Sequence, residues 1–149
     1  MSRVSEFLNK RSARRSANRA AQKPGAGFAI EPMKGRGPMS VGAAFSKASS
    51  VLAVMCDSQD NSIVISREAS GNILINVGAV SITGGRPTVA NTSLIQAFGQ
   101  AGNNTISLGE VNGMLPDVNP FGGENDDILI GGSGSDELFG QAGNNILIL

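Results

Sequence analysis

Three nine-residue units stand in phase in this sequence: Gly122-Gly-Glu-Asn-Asp-Asp-Ile-Leu-Ile130, Gly131-Gly-Ser-Gly-Ser-Asp-Glu-Leu-Phe139 and Gly140-Gln-Ala-Gly-Asn-Asn-Ile-Leu-Ile148. The middle unit fits the pattern G-G-x-G-x-D-x-U-x at every defined position, where U is a large apolar residue. The outer units depart from it at Asn125 and Gln141, which replace Gly, and at Asn145, which replaces Asp. Six residues of such a unit turn the chain and three form a strand, so the repeat predicts a regular array of short strands.

Further copies of the unit occur upstream, at residues 57–65, 90–98, 99–107 and 113–121. The hexapeptide Gly-Gln-Ala-Gly-Asn-Asn occurs at both 99–104 and 140–145, and Phe98 aligns with Phe139. A five-residue insert, 108–112, separates two of the copies. Several phased units are a strong sign of a repeat architecture.

Short runs rich in Ile and Val are separated by clusters of Gly, Asn, Asp and Ser, which is typical of strands and turns. These runs lie at 51–55, 62–66, 72–76 and 79–83. The fold class predicted for 51–149 is therefore all-β, with no convincing helix after residue 50.

The repeated unit has the chemistry of a calcium-binding turn. Gly at positions one, two and four permits positive φ and close backbone approach. The turn then presents backbone carbonyls, and the Asp at position six adds a carboxylate. Ca²⁺ takes six to eight oxygen ligands at about 2.3–2.6 Å, which carbonyls and carboxylates supply. The apolar residues at position eight are expected to face inward, and they are Ile106, Leu129, Leu138 and Leu147.

On these repeats, residues 57–148 resemble the RTX, or haemolysin-type, calcium-binding nonapeptide-repeat proteins of bacteria. The resemblance implies a parallel β-roll (a β-solenoid), Ca²⁺-driven folding outside the cell and type I secretion. It also implies that Asp127 and Asp136 are carboxylate ligands of calcium. The other residues predicted for the metal site belong to the same turns, and they are Gly122, Asn125, Gly131, Gly134, Gly140, Gly143 and Asn145.

Two units complete one coil of such a roll, so turns two units apart are expected to stack. This stacking pairs Asp127 with Asn145, and Asp136 with Val118. Each pair lacks one carboxylate, so we expect weak calcium binding, with a Kd of about 10⁻⁴–10⁻³ M. A solenoid held by side-chain ladders without metal is the alternative for the same residues, because Asp and Asn are ordinary turn residues.

The charge is divided between two parts of the chain. Residues 1–50 hold ten basic and two acidic residues, whereas 51–149 hold two basic and ten acidic residues, so net charges of +8 and −8 cancel. Residues 1–23, rich in Ala, Arg and Lys, are predicted to be a basic helix or a disordered tail. Residues 24–50, which contain Lys-Pro-Gly-Ala-Gly and Gly-Arg-Gly-Pro, are predicted to be a Pro/Gly linker.

This linker contains Ile30-Glu-Pro-Met-Lys-Gly-Arg-Gly-Pro-Met-Ser40. The segment resembles, in degenerate form, the Leu-Glu-Pro-Arg N-terminal sorting motif of planctomycete-type surface proteins. The matching residues are Glu31, Pro32, Arg36, Met39 and Ser40, while Pro38 replaces an apolar residue. An inert linker is the alternative interpretation.

The composition excludes several kinds of active site. The chain has no His, so a Ser-His-Asp triad, a Cys-His pair and a His-ligated zinc site are impossible. Cys56 is the single cysteine, which allows no internal disulfide, and it is expected to be a small core residue. We predict that the protein is not an enzyme, because the repeats leave no room for a separate catalytic domain.

The predicted function is calcium binding by a secreted or cell-surface bacterial protein whose folding is coupled to the ion. The alternatives are a metal-free structural or adhesive β-solenoid whose basic arm docks on surface polymer, and a nucleic-acid-binding protein. The shortage of base-stacking aromatics in the arm, where Phe7 is the single one within 1–23, disfavours nucleic acid. No apolar run approaches the roughly 20 residues of a membrane span. The array stops partway through a coil, so we expect a truncated relative whose open end could meet further β-roll chains.

Overall fold

The computed structural model describes residues 41–149, which form eleven β-strands. The strands are β1 (Gly42–Ser46), β2 (Val51–Met55), β3 (Ser62–Arg67), β4 (Ile73–Ile75), β5 (Ile82–Thr83), β6 (Leu94–Phe98), β7 (Thr105–Gly109), β8 (Asp117–Gly123), β9 (Ile128–Ile130), β10 (Phe139–Gln141) and β11 (Ile146–Ile148). Within 41–149 a 3₁₀ turn, Asn76–Gly78, is the only helical element, and no helix there is long and apolar enough to cross a bilayer. The all-β prediction is confirmed, while the predicted tail (1–23) and sorting motif (30–40) lie outside the described residues.

Alternating burial explains why these short segments pair as strands. In β2, Leu52 and Val54 are buried and their neighbours are more exposed. In β3, Ile63 and Ile65 are buried in the same alternating way. Aliphatic side chains at a period of two suit a sheet with one buried face. Residues of both sheets contribute to one hydrophobic core.

The strands form two sheets, in the orders β10-β8-β6-β2-β1-β5 and β11-β9-β7-β3-β4. Four strands of each sheet run parallel: β2, β6, β8 and β10 in one, and β3, β7, β9 and β11 in the other. The pairs β1–β2 and β3–β4 are antiparallel. Both sheets are therefore mixed, and the predicted repeats lie in their parallel parts.

The chain alternates between the two sheets along the repeats, because β2, β6, β8 and β10 are each followed by a strand of the other sheet. Stacked residues on neighbouring strands are 43, then 23, then 18 residues apart. Both sheets keep these spacings. The last spacing equals two nine-residue units, and the middle one also includes the insert predicted at 108–112.

Three stacked phenylalanines confirm the predicted alignment of Phe98 with Phe139. The ring centroids of Phe98 and Phe121 are 5.0 Å apart, and those of Phe121 and Phe139 are 4.6 Å apart. The rings are almost parallel, with interplanar angles of 7° and 6°. Residues at position nine of successive stacked units therefore occupy equivalent places.

The structure corrects the phase of the most upstream copy, predicted at 57–65. Ile63 pairs with Ile106, which is at position eight of its unit, so the upstream unit begins at Cys56. No Gly remains at positions one, two or four of this unit to mark its phase.

Cys56 is 4% exposed, as expected for a core residue. Burial, followed by the charges of Asp57 and Asp127, raises the pKa of its thiol to about 11.

Strand β1 lies inside the segment predicted to be a linker, 24–50. Ala43 and Phe45 are buried, and β1 pairs antiparallel with β2 from Gly42 opposite Met55. Gly, Ala and Ser dominate this segment, and their small side chains give a weak period-two hydrophobic signal. Pairing with β2 stabilises this strand, and β2 lies outside the segment predicted to be a linker.

Position-eight side chains differ between the middle and the end of the stack. Ile63, Ile106 and Leu129 are fully buried. Leu138 is half-buried, while Leu147, which was expected to face inward, is 47% exposed. Within 41–149 no strand lies beyond β11 in its sheet, so Leu147 has a neighbour on one side only.

Candidate metal centre

The turns 99–104, 122–127 and 140–145 share one backbone shape. In each of them the residues at positions two and four have positive φ: Gln100 (71°), Gly102 (85°), Gly123 (110°), Asn125 (80°), Gln141 (64°) and Gly143 (105°). Position one does not use positive φ, contrary to expectation. Its Gly is required for close approach, because a Cβ on Gly122 would collide with Asp127 Oδ2 and lie 2.7 Å from the Gly140 carbonyl oxygen.

Position-six side chains form a ladder across these three turns and the turn of Asn61 that precedes them. We call it the position-six ladder, and its members are Asn61, Asn104, Asp127 and Asn145. The Oδ1 atom of each later member accepts a hydrogen bond from the backbone N–H of the preceding one. The donor–acceptor distances are 3.1 Å for Asn61 to Asn104, 2.7 Å for Asn104 to Asp127 and 2.8 Å for Asp127 to Asn145. The predicted pairing of Asp127 with Asn145 is therefore present as a direct contact.

Position-five side chains form a second ladder with the opposite polarity. Asn103 N–H donates to Asp60 Oδ1 (2.8 Å), Asp126 N–H to Asn103 Oδ1 (3.1 Å), and Asn144 N–H to Asp126 Oδ1 (2.8 Å). In the turns 99–104 and 122–127 the two ladders together satisfy the backbone N–H groups of two successive residues. Stacked turns are therefore joined by side chains of the turns themselves.

The three asparagines of the position-six ladder also close their own turns. Asn104 Nδ2 donates to the carbonyl oxygens of Ala101 (3.1 Å) and Gly102 (3.0 Å). Asn145 Nδ2 makes longer bonds, to the carbonyl oxygens of Gln141 (3.4 Å) and Ala142 (3.3 Å). Asn61 Nδ2 donates to Gln59 O at 2.6 Å. In these turns an amide N–H₂ group therefore binds the turn carbonyls.

Asp127 has no such donor to offer, because an ionised carboxylate only accepts hydrogen bonds. The residue is 1% exposed, and its Oδ2 atom is buried without a hydrogen-bond partner. Burial raises the pKa of the Asp127 carboxyl above its ordinary value, outweighing the hydrogen bonds from Asn104 that lower it. Asp127 Oδ2 and the Gly140 carbonyl oxygen both face the point beside the Gly122 Cα where a Cβ would stand. Oxygens from two stacked turns thus converge there with no donor between them.

Asp136 lies in a different environment, although its unit fits the repeat pattern best. Its Oδ1 accepts the Val118 N–H at 2.8 Å, which is the predicted pairing, and its Oδ2 accepts the Gly132 N–H at 2.7 Å. Both carboxylate oxygens therefore already have donors. None of Gly131, Gly132 and Gly134 has a left-handed φ, so the turn 131–136 differs in shape from the three turns described above.

Glu110, which the sequence analysis did not select, holds the turn 131–136 in place. Its carboxylate accepts hydrogen bonds from Leu115 N–H (2.9 Å), Ser133 N–H (3.0 Å) and Ser133 Oγ (2.7 Å). The bond from Leu115, followed by those from Ser133, lowers the pKa of Glu110 despite some desolvation. The one available signal was that the insert 108–112 carries a single acidic residue.

The structure places the predicted metal-site residues in two groups. The first lies in the stacked turns 122–127 and 140–145, and it consists of Asp127, Asn145, Gly122, Asn125, Gly140 and Gly143. The second lies in the turn 131–136 and consists of Asp136, Gly131 and Gly134. Among residues 41–149 no three His, Cys, Asp or Glu side chains gather as a metal-binding group. A cation in the first group would therefore depend on one carboxylate and on backbone carbonyls.

Comparison with known protein families assigns these repeats. Neither the curated proteins nor the solved structures contain a match to the chain. The family model for the RTX calcium-binding nonapeptide repeat, which spans four copies, matches residues 121–149. The match covers the turns of Asp127, Asp136 and Asn145. The resemblance seen in the sequence is thereby confirmed over residues 121–149, which match the RTX calcium-binding nonapeptide repeat.

Proposed function

We propose that the repeats form a parallel β-roll that binds calcium between the turns 122–127 and 140–145. The alternation of the chain between two sheets, with the same spacings in both, supports the roll. Each pair of strands, such as β8 and β9, would make one coil, and the antiparallel strands β1 and β4 would cover the first coil.

The observation that carries the calcium proposal is the buried Oδ2 atom of Asp127, which has no hydrogen-bond partner. Leaving a buried polar group unsatisfied costs roughly 1–3 kcal/mol, and more if the group is charged. A cation beside this oxygen would neutralise the carboxylate and bind the turn carbonyls that face it. Calcium prefers such carboxylate and carbonyl oxygens. The residues that would hold it are Asp127 and the backbone of the two stacked turns.

The charge of the site favours weak binding. Asp127 is the single carboxylate of the position-six ladder, since its stacked neighbours are Asn104 and Asn145. We therefore propose a Kd of about 10⁻⁴–10⁻³ M, the range of extracellular calcium modules. An affinity in this range would suit a secreted or cell-surface protein, in which calcium stabilises the folded roll and no reaction is catalysed.

A metal-free structural solenoid is the second candidate, and one observation favours it. The amides of Asn61, Asn104 and Asn145 bind carbonyls or other acceptors of their own turns without any ion. The two candidates differ in whether calcium changes the stability of the folded chain.

Far-UV circular dichroism during thermal unfolding tests the proposal, with EDTA compared with CaCl₂ and with MgCl₂ as the control cation. At calcium concentrations about 10–100 times Kd, binding adds about 1.4–2.7 kcal/mol of stability. We expect calcium to raise Tm by roughly 5–10 °C, and magnesium to raise it less.

Two matched variants locate the effect. Asp127→Asn is expected to abolish the calcium response, whereas Asp136→Asn should retain most of it. An unchanged Tm of the wild-type chain in calcium would contradict the proposal and favour the metal-free solenoid.

A further inference from the structure

Turns of the same shape are stabilised in two different ways within the position-six ladder. A Cβ placed on Gly99 would collide with the Gly122 carbonyl oxygen and lie 2.9 Å from Asn104 Nδ2. The point beside Gly99 therefore has an oxygen of the next turn on one side and an amide donor on the other. At the equivalent point beside Gly122, the amide is replaced by Asp127 Oδ2.

This difference arises from one atom, because Asn and Asp side chains have almost the same shape. Asn104 presents N–H₂, which donates two hydrogen bonds to carbonyls of its turn. Asp127 presents an oxygen, which is buried and has no donor. Carbonyl oxygens attract either a hydrogen-bond donor or a cation. An amide nitrogen at this place therefore stabilises the turn carbonyls as a cation would.

We infer that asparagine at position six is a built-in substitute for the cation. The turns of Asn61, Asn104 and Asn145 are closed by their own amides and take no calcium; Asn61 Oδ1 is also buried without a hydrogen-bond partner, but it carries no charge. The Asp127 turn alone combines a buried oxygen that lacks a partner with a carboxylate, and it alone requires an ion. Calcium then does not determine whether the domain folds. It determines how firmly the unit 122–130 is held between its two asparagine-closed neighbours. This inference rests on the proposed calcium site, and it limits that site to one turn.

Two reciprocal substitutions test the inference, with Tm measured in EDTA and again with CaCl₂. Asp127→Asn gives the ladder a fourth amide, and it should raise the Tm in EDTA by about 4 °C. Asn104→Asp removes an amide, and it should lower the Tm in EDTA by about 4 °C or more. Calcium should restore part of that loss, so that Asn104→Asp responds to calcium more strongly than the wild-type chain does.

Asn103→Asp is the matched control for the added charge. Asn103 is exposed, and its Oδ1 accepts a hydrogen bond that a carboxylate would also accept. The new carboxylate would lie between Asp60 and Asp126, so this variant should lower the Tm in EDTA, but by clearly less than Asn104→Asp does.

The outcomes separate the inference from the proposed function. A Tm of Asp127→Asn in EDTA at or below that of the wild-type chain would overturn the inference, even if calcium stabilises the wild-type protein. Equal effects of Asn104→Asp and Asn103→Asp would also overturn it. If the wild-type chain ignores calcium while Asp127→Asn is stabilised in EDTA, the amide substitution stands and the calcium site of the proposed function fails.

Discussion

The turns 122–127 and 131–136 belong to consecutive units of one chain, yet they hold their aspartates differently. Asp136, in the unit that fits the repeat pattern at every defined position, has both carboxylate oxygens bound by backbone N–H groups. Asp127, in a unit that lacks one consensus Gly, is buried and has one oxygen without a partner. The better match to the pattern is thus the poorer candidate for a cation.

The stacked neighbour explains this difference. The turn 122–127 lies between two turns of its own shape, those of Asn104 and Asn145, which bury it and place a carbonyl opposite its carboxylate. The turn 131–136 stacks on Val118 and is held from the insert side by Glu110. A repeat unit is therefore half of a site, and the unit two places away supplies the other half.

Truncating the position-eight leucines should show the largest contrast between the two units. Leu129 is fully buried, so Leu129→Ala is expected to cost about 3 kcal/mol. Leu138 is only half-buried, so Leu138→Ala should cost about 1 kcal/mol. Urea unfolding in EDTA measures both free energies, and equal losses would mean that the two units are equally well packed.

Adding a methyl group at position one should show the next largest difference in stability cost between the turns 122–127 and 131–136. In Gly122→Ala the new Cβ would collide with Asp127 Oδ2 and approach the Gly140 carbonyl, for a cost of about 2 kcal/mol. In Gly131→Ala the nearest atoms are Asp136 Oδ2 at 3.2 Å and Leu138 Cδ1 at 3.4 Å. That change should stay within about 0.5 kcal/mol. The same urea measurement applies, and a cost for Gly131→Ala as large as that for Gly122→Ala would show that both turns are equally tight.

Neutralising Glu110 should weaken the turn 131–136 and leave the turn 122–127 unaffected. Glu110→Gln replaces charge-assisted hydrogen bonds to Leu115 and Ser133 and should cost about 1 kcal/mol near neutral pH. Because the folded-state pKa of Glu110 is lowered, its carboxylate stabilises the fold above the ordinary value of 4.5. This contribution is lost as the pH falls through the lower folded-state pKa.

The Tm difference between wild type and Glu110→Gln should therefore shrink below about pH 4. Glu137→Gln, at an exposed position in the unit 131–139, is the control and should leave Tm unchanged. A Tm difference that stays constant at acid pH would show that the ionised carboxylate of Glu110 does not stabilise the turn 131–136.

The smallest effects are expected at position four, where the two turns favour different residues. Asn125 has a φ of 80°, so Asn125→Gly should stabilise the protein by about 0.5 kcal/mol. Gly134 is outside the left-handed region with ordinary contacts around it, so Gly134→Ala should also stabilise by about 0.5 kcal/mol. Differential scanning calorimetry resolves such shifts, and destabilisation by Gly134→Ala would indicate that the turn 131–136 needs the left-handed shape after all.

Much of the parallel part of the fold could be predicted from the sequence. The phase of the units fixed which residues stack, including Phe98 with Phe139, Asp127 with Asn145 and Asp136 with Val118. Strand β1 and the phase of the Cys56 unit were missed, since small side chains in one and the absence of Gly in the other remove the local signal. Glu110 was missed because its contacts with Ser133 bridge 23 residues.

The sequence by itself determined the repeat length, the strand type and the pairing of position-six residues, because these depend on periodicity and on local turn chemistry. Only the tertiary structure decided that Asp127, and not Asp136, has a buried carboxylate oxygen without a hydrogen-bond donor. That property depends on burial and on the donors that stacked turns provide. Neighbours two units away supply both, and no pattern within a single unit encodes them.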